Sequence, residues 1–260
     1  MEPHKTSVAE ALRLVPSPGF DLDEVNETLE GAAPDEVVRW ALRTFGKGLV
    51  MSSSFGAESA LMLHLVTRDA PGIPVVFLDT GYLFPETYQF AEELTTKLGL
   101  NLKVYGPRMT AARQEALYGR LWNGSEEDLA KYQQINKVEP MDRALRELGA
   151  TAWIAGLRRD QTEFRAGLRV VEPQADGLFK VHPILGWSKK DVRDYMLAHD
   201  LPYHPLYHYG YRSIGDVHST TPTTLEQDER DGRHLGEKRE CGIHLPRTPE
   251  ANASLKSSGL

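Results

Sequence analysis

Gly48-Leu49-Val50-Met51-Ser52-Ser53-Ser54-Phe55-Gly56-Ala57-Glu58-Ser59 decides how this chain folds. Gly48 to Ser52 is a short apolar run without polar alternation, the pattern of a strand covered on both faces. It breaks into serines 52, 53 and 54, Phe55 and Gly56, and a helix is expected from Ala57 to about Arg68. A buried strand, a polar turn and a helix N-terminus in succession bring backbone N–H groups and hydroxyls together as an anion site. The same residues would also serve as an ordinary strand-to-helix turn with serine caps.

The flanking sequence repeats the alternation. Two helices are predicted over residues 21–45, broken at Gly31-Ala32-Ala33-Pro34, with Val37, Val38, Ala41 and Leu42 as an apolar stripe. Ile73-Pro74-Val75-Val76-Phe77-Leu78-Asp79 reads as a second buried strand, and Pro85 and Gly99 mark the start and end of a helix. Strands follow at Leu102–Tyr105 and Thr151–Gly156, with a helix over 140–148 between them. Ser188-Lys189-Lys190-Asp191 is a capping-box start for a helix to His199. Strands alternating with helices predict an α/β fold: a doubly wound, mostly parallel sheet with helices on both faces. From Tyr207 the periodicity fails, and residues 245–260 are rich in Pro, Ser and Asn. The expected organisation is an N-terminal extension (1–20), a nucleotide-binding catalytic domain (21–206), a flexible catalytic tail (207–244) and a disordered extension (245–260).

Composition narrows the function classes. The chain has 260 residues, 40% hydrophobic and 26% charged, with a net charge of −7. That charge argues against general nucleic-acid or membrane binding, both of which need a basic surface. No apolar run approaches a transmembrane span, and Met1 to Val15 lacks the apolar stretch of a secretory signal, so the expected compartment is the cytoplasm. One cysteine rules out a disulfide framework and any all-thiolate zinc or iron–sulfur site. His182, His204, His208 and His218 lack metal-site spacing, and Trp153 and Trp187 read as core.

Three turns at predicted strand ends carry the candidate chemistry. The first is the serine turn, Ser52 to Gly56. The second is Leu78-Asp79-Thr80-Gly81, where a base could meet main-chain groups, although a plain strand end before a capped helix has the same composition. The third is Gly156-Leu157-Arg158-Arg159, continuing to Arg165; such arginines suit bidentate capture of phosphate or sulfate oxygens, and a solvated charged face would look alike. In open α/β sheets all three would sit at the carboxyl edge, where ligands bind. The single cysteine, Cys241, lies in Glu237-Lys238-Arg239-Glu240-Cys241-Gly242-Ile243-His244. Lys238, Arg239 and a protonated His244 would favour its thiolate. Lowering a thiol pKa from about 8.5 to about 7 raises the thiolate fraction at neutral pH from roughly 3% to roughly half, for about 2 kcal/mol. A lone thiol cannot resolve its own redox chemistry within the chain, so electrons would have to come from another molecule.

Taken in order, Ser53-Ser54-Phe55-Gly56, Leu78-Asp79-Thr80-Gly81, Lys137-Val138-Glu139-Pro140-Met141, Gly156-Leu157-Arg158-Arg159, Tyr211-Arg212-Ser213-Ile214-Gly215-Asp216 and Lys238-Arg239-Glu240-Cys241-Gly242-Ile243-His244 resemble the phosphoadenylylsulfate (PAPS) reductase family of PP-loop nucleotide-binding proteins. The resemblance implies reduction of PAPS to sulfite and adenosine 3′,5′-bisphosphate through an S-sulfocysteine on Cys241, resolved by thioredoxin or glutaredoxin, in a homodimer. It implies catalytic roles for Cys241, Lys137, Arg239, Glu240 and His244. Substrate binding would fall to Ser52, Ser53, Ser54, Phe55, Gly56, Leu78, Asp79, Thr80, Arg158, Arg159, Arg165 and Tyr211. Adenylylsulfate (APS) reductases of the wider family carry a [4Fe–4S] cluster on two cysteine pairs. Here Tyr132, Gln133, Asp216 and Ser219 stand at those positions, which implies no bound cluster, no metal, and PAPS as substrate. Two other readings compete. One is an ATP-splitting PP-loop enzyme such as a sulfate adenylyltransferase subunit, against which Phe55 counts because it replaces a glycine that must approach pyrophosphate. The other is a nucleotide-binding regulatory protein without turnover, which would leave Cys241 unused.

Overall fold

The computed structural model describes residues 19–174, 176–224, 231–233 and 242–244. Six strands form one sheet: β1 (Leu49–Ser53), β2 (Pro74–Leu78), β3 (Asn101–Tyr105), β4 (Ala152–Ile154), β5 (Val171–Pro173) and β6 (Phe179–Val181). Their order is β3-β2-β1-β4-β6-β5, and every pairing is parallel except β5 with β6. The helices are α1 (Leu22–Leu29), α2 (Pro34–Phe45), α3 (Ser59–Asp69), α4 (Pro85–Leu98), α5 (Ala111–Tyr118), α6 (Glu126–Gln133), α7 (Glu139–Glu147), the single turn α8 (Glu163–Ala166) and α9 (Lys189–Ala198).

The continuous apolar runs are central strands, as their composition requires: Val50, Val75, Val76, Ala152 and Ile154 are fully buried. Between β1 and β2, α3 buries residues on nearly every side, from Ala60 and Leu61 to Leu65 and Val66. Gly156 lets the end of β4 pass this helix, because a Cβ there would stand 2.7 Å from Met62 Cγ. Strands β5 and β6, three residues each, are too short for their periodicity to be read from sequence. The outer strand β5 is closed off by α1, whose buried Asn26 donates to the Val171 carbonyl and accepts from its N–H. A side-chain amide thus takes the place of a neighbouring strand.

Packing crosses two of the three expected boundaries. Phe20, assigned to the N-terminal extension, packs against Trp40, Phe45 and Phe179. Residues 207–224, assigned to the tail, lie along the second turn: Leu83 pairs with Asp216, Val217 N–H donates to Tyr82, and Ile214, Asp216, Ser219 and Thr220 are buried. Their lack of periodicity reflects extended and single-turn structure held by the neighbouring loops. No described helix is long and apolar enough to cross a membrane.

Candidate active site

The chain runs outward from β1 through β2 to β3, then returns to place β4 on the other side of β1. Loops leaving β1 and β4 therefore diverge and open a crevice at their carboxyl ends. A cleft of about 330 Å³ occupies that crevice.

The serine turn forms its floor. Ser52, Ser53, Ser54 and Gly56 line it. Ser52 Oγ accepts from Trp153 Nε1 at 2.7 Å, and Ser53 Oγ accepts from the Phe55 N–H at 3.1 Å. Phe55 has φ +47°, rare for a bulky side chain and a strain of the kind that collects at functional turns. Its ring leaves the cleft for the core, edge-on to Phe77 at 4.9 Å. Phe55 thus shapes the turn through its backbone.

The third turn supplies cations. Arg158 is 3% exposed at its side chain and is held by Asp160 (3.0 Å) and Glu58 (3.3 Å). Arg165 is buried and donates to Gln161 Oε1, which also accepts from the Arg158 N–H. Arg159 does not join them. Its guanidinium points to α1, with two hydrogen bonds to Glu30 (2.6 and 2.9 Å) and another to the Leu168 carbonyl, so it ties the loop to the domain.

From the second turn, Leu78 and Thr80 line the cleft. Asp79 does not line it; its carboxylate accepts from Gly81 N–H and Tyr88 O–H and closes its own turn. Tyr211 likewise stays outside, its ring packed against Phe84.

Lys137 enters from a π-helical turn, Gln134–Val138, between α6 and α7. Such turns rotate neighbouring side chains out of α register and often mark functional positions. Lys137 Nζ pairs with Asp216 at 2.5 Å, and Thr80 Oγ1 donates to the same carboxylate at 2.6 Å. Burial alone would push the Asp216 pKa up; the Lys137 charge and the two hydrogen bonds outweigh it and hold the carboxyl below its ordinary range. Behind this pair, Tyr132 O–H meets His218 Nε2 at 3.0 Å, and Trp122 stacks on His218 at 4.1 Å. Burial lowers His218 to about 4 and raises Tyr132 far above its usual range. The positions compared with cluster cysteines are thus occupied by a hydrogen-bonded polar group: Tyr132 on His218, Asp216 on Lys137, and Ser219 Oγ donating to the Asp216 carbonyl. Gln133 accepts from Gly242.

Gly242–His244 reaches this edge of the sheet. Gly242 N–H donates to Gln133 Oε1 (2.8 Å), and the His244 ring stacks on Trp153 at 5.6 Å. Ile243 and His244 both line the cleft. Cys241, Arg239 and Glu240 lie outside the described residues. Several cleft residues were not singled out from sequence. Arg212, over the Tyr207 ring at 4.1 Å, stands in the Tyr211–Asp216 motif without an assigned part, and Asp216 is read there only as a replaced cluster position. Glu58 stands in the serine stretch without an assigned part, Gln133 is read only as a replaced cluster position, and Arg233 gives no local signal. Arg233 sits against Gly215, where any Cβ would clash with its guanidinium.

A serine-lined anion turn, arginines at the neighbouring strand end and a ligand-sized cleft at the switch point define a nucleotide-binding α/β protein of the PP-loop kind. Candida glabrata FMN adenylyltransferase, solved with FMN and an ATP analogue, shares this fold at a TM-score of 0.55, covering 96% of this chain and 86% of its own at 14% identity. A more specific match comes from the phosphoadenosine phosphosulfate reductase domain, whose profile covers residues 48–222. A phosphoadenosine 5′-phosphosulfate reductase of Synechocystis sp. is 55% identical over 243 residues, 93% of this chain and 97% of that protein. The Candida auris phosphoadenylyl-sulfate reductase, solved as a phosphate complex, superposes with a TM-score of 0.69 at 32% identity, covering 79% of this chain and all of that one. The chain belongs to the phosphoadenosine phosphosulfate reductase family.

Proposed function

We infer that this protein reduces 3′-phosphoadenylyl sulfate to sulfite and adenosine 3′,5′-bisphosphate in assimilatory sulfate reduction. The observation that carries the reading is the docking of Gly242–His244, the segment bonded to Cys241, beside a cleft that also gathers Lys137, Arg158 and Arg165. The Cys241 thiolate attacks the sulfonyl sulfur; the S–O bond to the phosphate breaks, and its electron pair leaves with adenosine 3′,5′-bisphosphate. The product on the enzyme is S-sulfocysteine. A thiolate of a dithiol protein, thioredoxin or glutaredoxin, then attacks Cys241 Sγ and sulfite departs with the bonding pair. The donor's second thiol breaks the mixed disulfide, so the donor is oxidised, sulfate sulfur is reduced, and Cys241 is regenerated.

In this reading the serine turn and Gly56 hold phosphate, while Leu78 and Thr80 flank the adenosine. Lys137, Arg158, Arg165, Arg239 and His244 surround the sulfate and leaving phosphate, stabilising charge as the S–O bond breaks. Glu240 completes the catalytic segment. Phe55, Asp79, Arg159 and Tyr211 support the loops rather than touch substrate. The enzyme works in the cytoplasm as a homodimer, and it needs no bound metal. Sulfite release measured with PAPS and APS at matched concentrations, with thioredoxin supplied, tests the substrate. PAPS should be favoured at least about 100-fold, a gap of about 2.7 kcal/mol. Equal or better turnover of APS contradicts the assignment.

A further inference from the structure

Lys180 stands where an apolar strand would place a valine. It is the middle residue of β6, between buried Phe179 and Val181, and is itself 3% exposed. Burying a lysine is costly unless its nitrogen finds acceptors. Glu172 is its register partner on β5; Nζ donates to the Ile243 carbonyl at 3.1 Å and lies 4.6 Å above the Trp153 ring. Lys180 does not line the cleft, so holding substrate phosphate is not its task. Trp153 is its register partner on β4 and is anchored by its own bond to Ser52 on β1. Ser52, Trp153 and Lys180 thus form a ledge across three strands.

Gly242–His244 rests on that ledge with each residue fixed by a different element. Gly242 is held by Gln133 at the end of α6, Ile243 by Lys180 on β6, and His244 by Trp153 on β4. Two of these contacts join a buried side chain to the tail backbone, Gln133 to the Gly242 N–H and Lys180 to the Ile243 carbonyl, and of the two only Lys180 reaches it from the sheet.

We propose that Lys180 is a positioning residue for the nucleophile: by holding the Ile243 carbonyl it seats Gly242–His244 and so fixes the approach of Cys241 to the sulfonyl group. The proposal rests on the S-sulfocysteine reading above. It is a matter of orientation, and a misplacement of about 1 Å at a reacting atom can cost on the order of 100-fold in rate.

Lys180→Met keeps the stem and removes the donor. Single-turnover formation of S-sulfocysteine at saturating PAPS without reductant should slow at least about 10-fold, while affinity for adenosine 3′,5′-bisphosphate stays within about 3-fold. Hydrogen exchange in the peptide covering residues 242–244 should quicken, and Lys180→Arg should recover much of the rate. Adduct formation at the wild-type rate with unchanged exchange overturns the proposal, and so does a parallel loss of nucleotide affinity. Should Lys180→Met not fold, Gly242→Val decides from the tail side. Its side chain meets Gln133 and Val138, and it leaves the sheet untouched. That variant should slow the adduct and open Lys180 to acetylation by an amine reagent; a Lys180 that stays unreactive, or an adduct formed at the wild-type rate, overturns the proposal. If wild-type enzyme forms no adduct, the S-sulfocysteine reading fails, and the exchange and acetylation arms still report whether Lys180 seats the segment.

Discussion

Asp216 shows how a side chain whose sequence context gives no hint of its partners can organise the site. Its carboxylate joins Lys137, 79 positions earlier, to Thr80, 136 positions earlier, inside the wall of the cleft. Removing the charge leaves Lys137 buried without its counter-ion. Asp216→Asn should therefore lower unfolding stability in urea by about 3–5 kcal/mol, whereas Lys137→Met combined with Asp216→Leu should cost clearly less than the two single changes added together. A single variant as stable as wild type would contradict this account. The sign of the pH effect follows from the depressed folded pKa. The contribution is complete above the unfolded value of about 3.9 and is lost as pH falls through the folded one, so the pair is no switch near neutrality. Lys137 was legible because a motif carried it. Asp216 was quoted at the end of another motif, but its partners come together only through the fold. Asp79 and Arg159 were misleading for the converse reason: polar residues in a strand-end turn look alike whether they face ligand or brace the loop.

The π-helical turn at Gln134–Val138 joins α6 to α7 in one continuous helical run, and both Gln133 and Lys137 reach the cleft from it. The extra residue shifts the register between the two helices, and so sets the angle at which Lys137 meets Asp216. Deleting Ile135 should restore α-helical register and turn Lys137 away from Asp216. Sulfite release should fall at least about 100-fold while circular dichroism and sheet stability are kept. Activity within a few-fold of wild type would show that the turn is incidental. The helices were readable from sequence because Pro85, Gly99 and Ser188 punctuate them. The π turn was not, since no residue type demands one. Strands β5 and β6 escaped for a similar reason: three residues hold no period, and Lys180 interrupts the apolar run that would have marked β6.

For the molecule as a whole, the parallel sheet was legible from its runs of valine and isoleucine, and the location of the site followed from the strand order. The chain carries a net charge of −7, yet its cleft collects Lys137, Arg158, Arg165, Arg212 and Arg233. An anionic protein with a cationic crevice attracts a small polyanion without inviting nucleic acid. Three histidines, His182, His204 and His218, are each lowered to about 4 by burial. Between about pH 6.5, where they titrate in the unfolded chain, and about pH 4, the unfolded state binds more protons, so stability rises with pH across that window. From pH 6 to pH 5 the unfolding free energy should drop by more than about 1.4 kcal/mol, the equivalent of more than one proton. A flat profile over that unit would show that these histidines are already charged in the fold. Attack of Cys241 on the sulfonyl sulfur can be read by intact-mass analysis after incubation with PAPS and no reductant. Wild-type protein should gain one sulfonate group per chain and Cys241→Ser none, and added thioredoxin should release the group as sulfite. Stoichiometric label on Cys241→Ser, or sulfite released by that variant, would contradict attack by Cys241.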